Sequence, residues 1–292
     1  MSVASTENKL ITLKAESSKG LPIEAVYSPE RGMNLVSFKW GSIELIDQGT
    51  RSLFEQRNAG LGALIGPHFH HRNPAVIPEV DRSLFPHLAA IKPGEEPFSH
   101  GIARYVGWKA ESDGKKIRAE LKGKDEWKGV PVAQLEGQDF TMVYEASVDS
   151  EGLHIALSVC SETDSVVGLH HYYALPNAGE VRSDVRARYF DGDETKELPN
   201  LWQGKSRHQL HFALPQVADF GFQPHRDSVR GDIVLDVGDY ALSTRYRTTS
   251  AENRWQLYHP EGASFVCIEP MTAENPRKPQ LSVSSLEVHL SL

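Results

Sequence analysis

Two short stretches place proton-handling side chains on segments that read as strands. In Gly168-Leu169-His170-His171-Tyr172-Tyr173, His170 shares a face with Gly168 and Tyr172, and His171 shares the other with Leu169 and Tyr173, because successive strand side chains point to opposite sides. In Phe265-Val266-Cys267-Ile268-Glu269-Pro270 a carboxylate ends an apolar strand. Glutamate is rarely buried without a partner or a purpose. An imidazole and a carboxylate facing one substrate could move protons as general acid and base. Each also has a plain reading: a hydrogen-bonded core histidine, and a glutamate solvated at a strand end.

Two further clusters could bind a ligand. Pro67-His68-Phe69-His70-His71-Arg72 concentrates imidazoles. On a strand, His68 and His70 would point the same way, and imidazole suits zinc, copper or iron. A metal site needs a third or fourth protein ligand, and Glu79 and Asp81 lie beyond two prolines. A polar wall of a binding site or a surface loop is favoured, and no metal is expected. His100-Gly101-Ile102-Ala103-Arg104 stands before a stretch, Tyr105 to Ala110, that reads as a strand. Cys160 and Cys267 each sit in an apolar run and read as buried thiols, with no metal-binding or disulfide spacing between them.

Several chemistries are excluded. The chain has no Gly-x-Ser-x-Gly elbow and no Walker loop. Gly60, Gly62 and Gly66 miss the dinucleotide spacing and lead into Pro67-His68 rather than a helix. The net charge of −8 argues against nucleic acid and anionic membranes as partners. No apolar stretch approaches the ~20 residues that span a bilayer, and Met1 to Lys14 has no signal-peptide core. A soluble, cytoplasmic protein, monomer or homodimer, is expected.

The elements that must position these residues are strands. Phe140, Met142, Tyr144, Ala146 and Val148 alternate with polar neighbours, as do Leu153, Ile155, Leu157 and Val159, with Asp149-Ser150-Glu151-Gly152 between them as a turn. The same hairpin pattern recurs over 232–248 around Gly238-Asp239 and over 255–269 around Pro260-Glu261-Gly262. Residues 9–47 read as a meander. No long capped amphipathic helix and no linker divides the 292 residues, so one all-β domain, a large antiparallel β-sandwich, is expected over 1–292. Residues 68–99 and 191–207 read as long irregular excursions.

Taken in order, three of these segments resemble the aldose 1-epimerase (galactose mutarotase-like) superfamily. His100-Gly101-Ile102-Ala103-Arg104, with Trp108 after it, is similar to a segment of its hexose-phosphate epimerase and LacX-like branches. Leu169-His170-His171-Tyr172-Tyr173 resembles the strand with the catalytic histidine, and Cys267-Ile268-Glu269-Pro270 the strand with the catalytic glutamate.

The resemblance implies a supersandwich with its site on a concave face, His170 as general acid and Glu269 as general base. It also implies that His100, Arg104, Arg72 and Asp219 contact a sugar or sugar phosphate, and that no cofactor is needed. Opposite charges, His170 protonated and Glu269 ionised, would then support one another across the site. The alternatives are a carbohydrate-binding protein of the same fold without catalysis, and a metal-dependent barrel enzyme built on His68, His70 and His71.

Overall fold

The period-two stretches all become strands, and they pair without exception as antiparallel neighbours. The computed structural model describes residues 10–292 apart from 71–74, 76, 90 and 93; His71 and Arg72 therefore lie outside the described residues. Two large sheets form. The eleven-stranded sheet runs in the order Ile11–Glu16, Pro22–Ser28, Asn34–Trp40, Gly62–Ile65, Gly168–Ala174, Phe265–Met271, Arg254–His259, Ala218–Phe222, Arg188–Asp191, Glu194–Glu197, with Ile43–Glu44 paired to Asn34–Trp40. The nine-stranded sheet runs Gln209–Leu214, Gly179–Asp184, Arg230–Asp236, Ala241–Thr248, Leu281–Ser291, Gly152–Ser165, Phe140–Asp149, Lys116–Lys122, Lys109–Ser112. The helices are short, Arg51–Arg57 and Val132–Glu136 with a few single 3₁₀ turns. Among the described residues no helix is long and apolar enough to cross a membrane.

The inner faces of the two sheets make the core. Tyr27 of one sheet and Tyr144 of the other meet edge to face, ring centroids 5.8 Å apart, and the Tyr144 hydroxyl donates to that of Tyr27 at 3.2 Å. Alternation decides what each strand contributes. In Arg254–His259, Trp255 and Leu257 are fully buried on the core side, while Arg254, Gln256 and Tyr258 point the other way. In Gly168–Ala174, Leu169 and Tyr173 join the core and His170 and Tyr172 face outward. The strands nearest the middle of the eleven-stranded sheet thus carry mostly apolar residues on the core side, His171 excepted, and polar or titratable ones on the other.

Three sequence expectations change. Cys160 is exposed, because Leu153, Ile155, Leu157 and Val159 take the inward positions of its strand and leave it the outward parity. Tyr105 to Ala110 is not one strand: Ile102–Arg104 closes a 3₁₀ turn, Trp108 donates its indole N–H to the Ala103 carbonyl at 2.9 Å, and pairing begins only at Lys109. Residues 191–207 are not a free excursion either, since Arg188–Asp191 and Glu194–Glu197 form a hairpin that ends the larger sheet.

His171 is on the core side and fully buried, its Nδ1 3.3 Å from the Tyr173 hydroxyl. Burial lowers its pKa to about 3. The unfolded chain takes up this proton near 6.5 and the folded chain only near 3, so the stabilisation is complete above pH 6.5 and is lost as pH falls from there towards 3. Over pH 6.5 to 5 the loss amounts to about 2 kcal/mol. His171→Phe should flatten the fall in thermal midpoint between pH 7 and 5; an unchanged fall would show that His171 does not drive acid lability.

Candidate active site

His170 and Glu269 come from neighbouring strands of the larger sheet. Gly168–Ala174 pairs with Phe265–Met271 in the register His171 to Ile268 and Tyr172 to Cys267, which sets His170 beside Glu269 on the outward face. The His170 Nε2 lies 3.4 Å from Glu269 Oε1. Only 6% of His170 and 3% of Glu269 is exposed. Glu269 is thus not a solvated strand end: it stands within Phe265–Met271, with Pro270 and Met271 after it in the same strand.

The pair forms the floor of a cavity of about 300 Å³, bounded by His70, His100, Tyr172, Asp219, Arg254, Gln256 and Tyr258 among others. That is the lower end of the size range of small-molecule pockets. A larger open hollow, about 890 Å³, lies on the outer face of the nine-stranded sheet. Its charges are mostly exposed and paired, as in Arg118–Glu145 at 2.5 Å, and it gathers no comparable set of buried acids and bases. The smaller cavity is therefore the candidate site.

The imidazoles pack as a cluster. The His170 ring stacks on Tyr172 with centroids 4.8 Å apart and meets His100 edge to face at 5.1 Å; His100 in turn lies 4.9 Å from His70. His100 is held by a left-handed backbone, φ 67°, an unusual conformation for a residue other than glycine. Its amide donates to the Phe69 carbonyl at 2.7 Å and its carbonyl accepts from Gly66 at 2.9 Å. Gly101 follows at φ 92°, and a β-carbon there would sit 2.0 Å from the Gly66 carbonyl oxygen; the backbones cross too closely for any side chain.

His68 and His70 do not act together. Residues 67–70 form no strand, so the expected common direction of His68 and His70 is lost. His70 joins the cavity wall. His68 turns into the interior, with Nδ1 against Glu136 Oε1 and Nε2 3.3 Å from Glu96. Among the described residues the group whose geometry could hold a metal is instead His170, Cys267 and Glu269, whose ligand atoms lie within 4.8 Å of one another. Its thiol is held protonated, since burial and then Glu269 raise the Cys267 pKa well above 9.

Arg104 stands behind the cavity rather than in it. It is 6% exposed, and its guanidinium donates to the Tyr105 hydroxyl at 3.1 Å. Its effect on the site is electrostatic: after burial it is the largest cause of the low His170 and His100 pKa values. Asp219 does reach the cavity, where its Oδ1 accepts from Gln256 Nε2 at 2.7 Å.

Burial acts on both groups against their charged forms. It lowers His170 to about 3 and raises Glu269 well above its ordinary value, with Asp219 adding to the rise and Arg254 and Arg104 opposing it. Desolvation therefore opposes the ion pair that the sequence suggested, and the two arginines support the carboxylate.

Arg254, Gln256 and Tyr258 complete the floor and were not singled out from the sequence. The available signal was the polar parity of Arg254, Gln256 and Tyr258 in a strand hairpinned to the Glu269 strand.

No protein-family model matches the sequence. No curated protein matches it either. Solved structures do. A candidate aldose 1-epimerase from Escherichia coli K12 superposes with TM-score 0.66 at 15% identity, covering 97% of this chain and 99% of its own. The GalM/aldose epimerase homologue from C. elegans gives 0.65 at 12% identity over 98% and 99%. A galactose mutarotase-like protein from Lactobacillus casei gives 0.64 at 13% over 96% and 99%. Matching these structures over nearly the whole of each chain, this protein has the galactose mutarotase-like fold.

Proposed function

We propose that the protein is an aldose 1-epimerase, interconverting the α and β anomers of an aldohexose or a charged derivative of one. The observation that carries this reading is the contact of His170 Nε2 with Glu269 Oε1 at 3.4 Å on the floor of a monosaccharide-sized cavity. Anomer exchange needs one proton moved off the C1 hydroxyl and one moved onto the ring oxygen. Glu269 as carboxylate takes the first, and protonated His170 supplies the second. The C1–O5 bond breaks, the aldehyde rotates about C1–C2, and closure runs the transfers backwards, so no proton is gained or lost.

The cycle requires Glu269 ionised and His170 protonated, against the desolvation of both. Arg254 and Arg104 already favour ionised Glu269, and sugar hydroxyls donating to its oxygens would add to that. Asp219, with Gln256 beside it, would hold hydroxyls, and Tyr172 and Tyr258 offer apolar ring faces to the pyranose. His100 is kept neutral by burial and so can act as a hydrogen-bond partner rather than a cation.

The test is anomer exchange itself. NMR exchange spectroscopy or polarimetry with glucose, galactose and their uronates and 6-phosphates should show a rate above the uncatalysed one for at least one sugar. Saturable binding with no acceleration would place the protein among non-catalytic sugar binders of this fold.

A further inference from the structure

The cavity contains a cation that takes no part in the proton transfers themselves. Arg254 is only 9% exposed and lines the cavity. Its Nε has no hydrogen-bond partner, and it joins no ion pair among the described residues. A buried guanidinium without a counter-ion is costly. This one is nevertheless built in. Its Cζ lies 5.5 Å over the Phe190 ring. Gly221, on the adjacent strand, leaves it room: a β-carbon there would fall 3.1 Å from both Cδ and Cζ of Arg254.

Register fixes where that cation sits. Gln256 pairs with Glu269, and Arg254 pairs with Met271, two residues further along. Arg254 is therefore displaced about 7 Å along the strand from the row of the acid–base pair. Asp219 pairs with Tyr258, on the other side of that row. A pyranose over His170 and Glu269 would thus have an acidic, hydroxyl-binding end at Asp219 and a cationic end at Arg254. In a pyranose the carbon next to the ring oxygen carries C6, within one ring's breadth of the reacting bond. Arg277 borders the same cavity.

We propose that Arg254 is the specificity-determining residue of this site, and that the sugar it selects carries an oxyanion at C6, a carboxylate or a phosphate. The proposal rests on the epimerase reading for the placement of the ring, but the charge preference can be measured without turnover. Burial is the main cause that lowers the Arg254 pKa, to about 10, which leaves it charged at neutral pH. A guanidinium can bind such an oxyanion through two parallel N–H donors.

The experiment is equilibrium binding, by calorimetry, of glucose, glucuronate and glucose 6-phosphate to the unaltered protein and to Arg254→Met, Arg254→Lys and Gly221→Ala. One or both anions should bind at least ~10-fold more tightly than glucose, the scale of one charged hydrogen-bonding contact, and the tighter of the two names the source of the oxyanion. Arg254→Met should abolish the preference, the affinities for the two anions falling to that for glucose. Arg254→Lys should keep part of it, and Gly221→Ala should weaken it with the guanidinium still present. Equal loss for all three ligands would assign Arg254 a structural role and overturn the proposal. So would a preference that survives Arg254→Met, or the absence of any preference. Failure of anomer exchange alongside an Arg254-dependent charge preference would instead overturn the epimerase reading and leave the anion site standing.

Discussion

Glu269→Gln is expected to lower the turnover number for anomer exchange by about two to four decades, the range associated with one positioned acid or base. The amide keeps the size of the carboxylate but cannot take up the C1 hydroxyl proton. His170→Asn should do comparable damage, because the amide cannot donate to the ring oxygen as an imidazolium can. Sugar affinity should change little in either variant, since the missing interaction matters mainly in the transition state. The double variant should be less impaired than the product of the singles, each group being idle without its partner. His171→Ala is the control: its side chain faces the core, so it should reduce the melting temperature more than the rate. Full activity in Glu269→Gln would end the epimerase mechanism. Loss of exchange in His171→Ala with His170→Asn intact would show the wrong histidine had been assigned.

Glu136→Ala is expected to destabilise the fold by about 3 kcal/mol, because removing one partner of a buried charged contact leaves the other uncompensated. Glu136 is fully buried at the end of Val132–Glu136. One carboxylate oxygen meets His68 Nδ1 and the other accepts the Ile102 amide at 3.2 Å. It thereby fastens the stretch leading to His70 to the turn following His100. The thermal midpoint should fall by roughly 6–12 °C, and KM should rise as that wall of the cavity loosens. Glu136→Gln retains an acceptor for Ile102 and should lose only about 1–2 kcal/mol. A thermal midpoint in Glu136→Ala within experimental error of the parent would show that the carboxylate does not fasten the one to the other.

Much of this architecture was legible because strand parity is a local property. The alternation in Phe140–Asp149 and Gly152–Ser165 announces the hairpin, and the same parity puts His170 and His171 on opposite faces. It should also have placed Cys160 outside, where the surrounding apolar run obscured it. What parity cannot give is which strands become neighbours. The sequence does not say that Arg254–His259 lies between the Glu269 strand and the Asp219 strand, so nothing in it marks Arg254 and Gln256 as site residues. Burial was equally hidden: nothing in the sequence tells that His170 and Glu269 are both withdrawn from water, where desolvation opposes their charged forms. The histidine-rich segment misled for a further reason. Its spacing suits a strand, but Gly66 and Gly101 cross there too tightly for one to form, and that crossing involves residues far apart in the chain.

The order of strands separates two kinds of evolutionary freedom. His170 and Glu269 stand on adjacent strands in the interior of the eleven-stranded sheet, each hydrogen-bonded on both sides. Arg254, Asp219 and Phe190 occupy successive strands toward one margin. Under the proposed function, substitutions accumulating from that margin inward would retune which sugar is accepted before they disturbed His170 and Glu269. Substrate preference could then diversify by drift at the periphery while the sheet interior holds the pair in place.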